Sequence, residues 1–102
     1  MKPILIKSGV WMDILEAMSF ISQDNLEVAA TFRLAVEAGW RQIQHNPGIG
    51  RLRHFSISGI RSWKVPAPFS NWLIFYRETK VAIEIFGIIH GARDLEQQLA
   101  QR

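Results

Sequence analysis

Six cations, Arg41, Arg51, Arg53, Arg61, Lys64 and Arg77, fall between Ala38 and Arg77, a stretch with no acid at all. Beyond this stretch, Arg93 lies three residues after His90. Guanidinium groups grip phosphates and carboxylates at two points, and histidine exchanges protons near neutrality. Trp63 and Trp72 stand among these cations, an arrangement that can stack bases, although such rings more often belong to the core or sit under a partner's helix. Arg93 has two readings: an anion grip at the end of a strand, or an ion pair with Asp94 or Glu96 that ties the last helix to the sheet. His54 and His90 have no second histidine or carboxylate at ligand spacing, so no metal site is expected. Neither a glycine-rich phosphate loop nor a Gly-x-Ser-x-Gly elbow occurs, and no cofactor is implied.

Between Ser8 and Glu37 the balance reverses, with Asp13, Glu16, Asp24, Glu27 and Glu37 against Arg33 alone. The net charge of +3 therefore hides an acidic first part and a basic second part, a field suited to acidic proteins or nucleic acid. At 102 residues, 48% hydrophobic and 21% charged, the chain has apolar material for one core, and a single domain over 1–102 is expected. The absence of cysteine excludes disulfides and fits a reducing cytosol. Ile4-Leu5-Ile6 is too short for an export core of roughly 7–15 apolar residues, and nowhere do about 18 run together. A cytoplasmic protein with no membrane partner is expected.

These residues need elements to hold them. Ile4 to Ile6 reads as a short strand opened by Pro3. A first amphipathic helix is expected over Val10 to Ser22, with Trp11, Ile14, Leu15, Met18 and Ile21 inward and Asp13, Glu16 and Ser19 outward. Asp24 and Glu27 have capping-box spacing for a second helix ending near His45-Asn46, where Pro47 stops it. Its stripe is Ala29, Phe32, Val36, Trp40 and Ile43. The short link makes the two helices an antiparallel hairpin.

After Asn46-Pro47-Gly48-Ile49-Gly50 the period changes to two. Gly59 to Val65 alternates as a half-buried strand, with Arg61, Trp63 and Val65 on one side and Ile60, Ser62 and Lys64 on the other. Trp72 to Tyr76 and Val81 to Ile89 are apolar on both faces, a central hairpin in which Gly87 marks a bulge or a close approach. Asp94 and Gln97 cap a short helix over Leu95 to Gln101, with Leu95 and Leu99 on one face. The expected fold is α+β: an N-terminal strand, then an antiparallel helical hairpin packed on a mainly antiparallel sheet of about four strands, then a short C-terminal helix.

Four segments in this order carry a resemblance. They are Asp13-Ile14-Leu15-Glu16 through Asp24-Asn25, Asn46-Pro47-Gly48-Ile49-Gly50-Arg51, Trp72-Leu73-Ile74-Phe75-Tyr76-Arg77 and His90-Gly91-Ala92-Arg93-Asp94-Leu95. Together the sequence resembles the RelE/ParE toxin superfamily over nearly its whole length, and the Tyr-Arg strand end followed by His-Gly-Ala-Arg-Asp points to the ParE branch. The resemblance implies the toxin of a type II toxin–antitoxin module, neutralised by a cognate antitoxin. ParE-type members are described as binding inhibitors of DNA gyrase, whereas RelE-type members cut messenger RNA on the ribosome.

Cutting RNA through its 2′-hydroxyl needs a base, an acid and cations on the phosphate. Here the strand position of the RelE arginine holds Leu73, and the last helix has no tyrosine or histidine, so the expectation is a binding toxin with no catalytic residue. The alternative, a RelE-type endoribonuclease, would rest on Arg93 and His90. A third reading is a non-toxic partner of an antitoxin. ParE-type sequences carry this histidine without being nucleases, which implies that His90 fixes the strand–helix turn by hydrogen bonding. For the antitoxin, Arg61, Trp63, Lys64 and Trp72 are the expected contacts, and for the target, Arg93 and Arg77. No sequence-specific nucleic acid binding is expected of the toxin alone.

Overall fold

The computed structural model describes residues 1–101. Its elements are β1 (Ile4–Ile6), α1 (Gly9–Ser22), α2 (Leu26–Ala30), α3 (Phe32–His45), β2 (Arg51–Leu52), β3 (Arg61–Lys64), β4 (Trp72–Glu78), β5 (Ile83–His90) and α4 (Leu95–Ala100). One sheet runs in the order β1-β5-β4-β3-β2. Only the β1–β5 pair is parallel, with Ile4 opposite Ile83 and Ile6 opposite Ile85. The architecture is the expected α+β arrangement with one more strand, β2, whose two residues are too few to show a period in sequence.

In α1 the inward face differs from the expected one. Val10, Asp13, Ile14 and Ala17 are buried, while Trp11 and Leu15 are exposed. Met18 and Ile21 still pack against the core. The helix turns this way because the Asp13 carboxylate, only 8% exposed, accepts the Ile88 N–H of β5 at 2.9 Å. β1 pairs with β5 only as far as Ile85, whose carbonyl takes the Lys7 N–H, so Ile88 lies past the end of its neighbour strand. A buried amide without an acceptor costs roughly 1–3 kcal/mol, and an inward carboxylate supplies the acceptor.

The second helix is two segments. Its cap is Asn25, whose side chain accepts the Val28 N–H at 3.1 Å, and not Asp24 as the capping-box spacing suggested. The break falls at Thr31, whose hydroxyl donates back to the Val28 carbonyl at 2.7 Å in competition with the helical ladder. The stripe Ala29, Phe32, Val36, Trp40 and Ile43 is buried throughout, as expected.

Both faces of the sheet are covered, which is why β4 and β5 are apolar on both sides. The helices lie over Ile74, Tyr76, Ile83, Ile85 and Ile88. On the other face Ile60, Phe75, Ile89 and Leu99 form a smaller core with Phe55, Ile57 and Leu95. The hairpin strands are Trp72–Glu78 and Ile83–His90, slightly displaced from the expected bounds, and Val81 is exposed in the turn. Phe75 faces Gly87 while Tyr76 faces Ile85, so Phe86 is the extra residue of a bulge beside the expected glycine. Asp94 caps α4 by accepting the Gln97 N–H at 3.3 Å, and Leu95 and Leu99 face the smaller core as expected.

Candidate functional site

Two surfaces gather the polar and aromatic side chains. The first lies where β4 and β5 end beside α1. Trp72 faces His90 across the two strands, and their rings meet edge to face at 4.8 Å. Phe20 from α1 and Phe32 from α3 complete the aromatic group, at 6.2 and 5.5 Å from the Trp72 ring. His90 Nδ1 accepts the Ala92 N–H at 3.1 Å and its carbonyl accepts the Arg93 N–H at 3.1 Å, so this residue builds the turn into α4. With Nδ1 engaged by the Ala92 amide, Nε2 is the ring nitrogen left for another partner.

A cavity of about 270 Å³ opens beside this group, walled by Glu16, Ala17 and Phe20 of α1 and by His90, Ala92 and Arg93. Arg93 is exposed and makes no ion pair among the described residues. The carboxylates expected to hold it are used elsewhere: Asp94 caps α4, and Glu96 accepts the Ser56 N–H at 2.9 Å.

The second surface is basic. Arg53 Nε donates to the buried Ser62 hydroxyl at 2.9 Å, and the guanidinium lies 6.0 and 5.9 Å from the Phe55 and Phe75 rings. Burial, and then the charge of Arg51, lower the Arg53 pKa. Further along the same face, Lys7 and Arg77 stand over the Phe86 ring at 5.2 and 5.3 Å. Arg77 is neutralised by Glu84 at 2.9 Å. Arg53 belongs to the basic stretch read from the sequence, whereas sequence reasoning missed Lys7, which lies outside the basic half.

The residues expected to meet an antitoxin are distributed rather than clustered. Arg61 Nη1 donates to the Gly50 carbonyl at 2.9 Å, and Trp63 Nε1 donates to Gln42 Oε1 at 2.8 Å, both toward the helices. Lys64 is exposed on the opposite face. Trp72 belongs to the aromatic group at the strand ends. The two residues expected to meet the target, Arg77 and Arg93, lie at opposite ends of the β4–β5 hairpin. No group of three His, Cys, Asp or Glu side chains among the described residues is placed to hold a metal ion. No helix of the described residues is long and apolar enough to cross a membrane.

Tyr76 is a second residue that sequence reasoning missed. It is fully buried, donates to the Pro47 carbonyl at 2.7 Å and accepts the Gly50 N–H at 2.9 Å, which fastens the Asn46–Gly50 turn to the sheet. Burial raises its pKa above the ordinary value, against smaller opposing effects from the Gly50 amide and Arg61.

A helical hairpin on one face of a mixed sheet and a closing helix on the other define a small α+β domain of the toxin type that the sequence resembles. A family model described as "ParE toxin of type II toxin-antitoxin system, parDE" matches residues 5–95, and the chain belongs to that family. Among solved structures it is similar to a chain of the "Chromosomal ParDE TA system from P. aeruginosa", with a TM-score of 0.70 at 14% identity, over 88% of this chain and 96% of that one. At that identity the likeness is one of fold. No curated protein matches the sequence.

Proposed function

We propose that this family member is a toxin that acts by binding, with DNA gyrase as its target, and that a cognate antitoxin neutralises it in the cytoplasm. The observation that carries the reading is the state of His90. A nuclease needs a base with a free lone pair near the phosphate-binding cation. The Nδ1 lone pair of His90 is taken by the Ala92 N–H at 3.1 Å, and its ring is held edge-on to Trp72. Leu73, where the RelE-type arginine would stand, packs into the smaller core. The Tyr76 hydroxyl is spent at both its donor and its acceptor sites. What remains exposed at the strand ends, Phe20 and Arg93, is suited to contact rather than to proton transfer.

The test is a pair of assays on the purified protein. Supercoiling by DNA gyrase is expected to be inhibited, and message in a translating extract is expected to stay intact. Codon-periodic cleavage of ribosome-bound message, abolished by Arg93→Ala, would instead establish the RelE-type activity.

A further inference from the structure

The aromatic group at the strand ends separates two recesses. The deeper one, about 270 Å³, lies between α1 and the turn after β5. The shallower one, about 300 Å³, lies on the other side of Phe20, Trp72 and His90 and reaches Asp24, Val28 and Phe69. Phe20, shared by both, is 58% exposed, a large apolar cost on a surface that the described residues leave uncovered. The walls carry opposite charges. Glu16 and Asp24 stand on the side of α1, both exposed, and Arg93 stands on the turn opposite. On the strand edge here, Asp13 accepts the Ile88 N–H and the His90 carbonyl accepts the Arg93 N–H.

We infer that this groove is where the chain grips its target protein. The occupant is a segment with one large apolar side chain for the deeper recess, a lysine or arginine toward Glu16 and Asp24, and a carboxylate toward Arg93. An apolar anchor in a walled pocket supplies lasting affinity, and the flanking charges set its register. A predominantly acidic segment is a poor occupant, since the 8–37 stretch that forms one wall has five acids and one base. The inference rests on the reading that the chain acts by binding a protein, but not on which protein that is.

Phe20, Glu16 and Arg93 are exposed, so the variants Phe20→Ala and Glu16→Lys/Arg93→Glu are expected to melt within a few degrees of the wild type. Three measurements are made on each: growth arrest on induction in cells, inhibition of gyrase supercoiling, and affinity for the co-expressed antitoxin by calorimetry. Both variants are expected to abolish growth arrest and weaken gyrase inhibition by roughly tenfold or more, with antitoxin affinity unchanged. Full growth arrest by both variants overturns the groove as the target site. Loss of antitoxin binding in either assigns the groove to the antitoxin and also overturns it, as does a wild-type chain that arrests nothing. Wild-type arrest without gyrase inhibition, lost in the variants, removes gyrase as the target and leaves the groove in place. If only one member of the charge pair matters, Glu16→Lys and Arg93→Glu made singly identify the sign that the partner presents.

Discussion

The Tyr76 hydroxyl and the Gly50 amide meet at 2.9 Å inside the protein, and the contact leaves no room for a side chain at position 50. A Cβ there would stand 2.6 Å from the hydroxyl and 2.8 Å from the Ser62 carbonyl. Tyr76→Phe leaves the Gly50 N–H and the Pro47 carbonyl without this partner and is expected to cost about 1–3 kcal/mol. Gly50→Ala is expected to cost more, because backbone as well as ring must move. Urea denaturation of the two variants orders them. The reverse order would mean that the turn shifts freely and the hydroxyl does not hold it.

The same residue gives a pH dependence. Burial raises the folded-state pKa of Tyr76, so its stabilising contribution is complete below the unfolded value near 10 and is lost as pH rises through the higher folded value. Tyr76 is the only tyrosine in the chain, so phenolate absorbance reports it alone. Ionisation is expected to coincide with alkaline unfolding, and Tyr76→Phe is expected to flatten the alkaline limb of the stability curve. A phenolate that forms with the ordinary pKa while the fold persists would contradict this.

Asp13 links the first helix to the last long strand. Asp13→Ala is expected to destabilise by roughly 1–3 kcal/mol, and Asp13→Asn, which keeps an acceptor, by less. Amide exchange locates the effect, with Ile88 losing protection first. Unchanged protection at Ile88 in Asp13→Ala would show that water replaces the carboxylate.

Trp40 lies in the helix-covered core at 7% exposure, with the Trp11 ring edge-on at 5.9 Å. Trp40→Ala is expected to cost roughly 3–5 kcal/mol by chemical denaturation. The Trp40 Nε1 proton is buried and has no hydrogen-bond partner among the described residues, so Trp40→Phe, which removes it, is expected to cost less than half as much.

For the antitoxin, Lys64 offers the clean test, because Arg61 is bonded to Gly50 and its reversal would disturb the turn. Lys64→Glu is expected to slow antitoxin association roughly two- to tenfold at low salt and to weaken its salt dependence. Stopped-flow mixing across a salt series measures both. An association rate indifferent to salt and to the substitution would mean that the antitoxin does not approach this face.

Local pattern revealed much of this molecule. The stripe from Ala29 to Ile43 and the Asp94 cap follow from spacing alone, and the expectation that His90 holds the turn into α4 came from the resemblance. The α1 face was misread because hydrophobicity alone ranks Trp11 and Leu15 inward and Asp13 outward. The acceptor role that turns Asp13 in depends on an amide 75 residues away. The two bonds of Tyr76 and the pairing of Arg61 with Gly50 also join separate elements, at 26, 29 and 11 residues' separation. At the candidate site the individual residues were visible, but not their grouping: Phe20 entered no expectation, and Arg77 and Arg93 were joined though the fold separates them. Sequence spacing reports which face of an element a residue shares, and not which elements meet.

The parallel pairing of β1 with β5 also bears on how the chain is made. Ile4 has its strand partner at Ile83, and Asp13 waits for Ile88. During synthesis the first strand and the Asp13 carboxylate therefore stay without these partners until almost the whole chain has emerged, since contacts so distant in sequence form late. A product truncated before Ile83 lacks the strand that joins β1 to the rest of the sheet. Translation that stops early leaves an open sheet with an orphaned first strand, not a weakened copy of the finished domain.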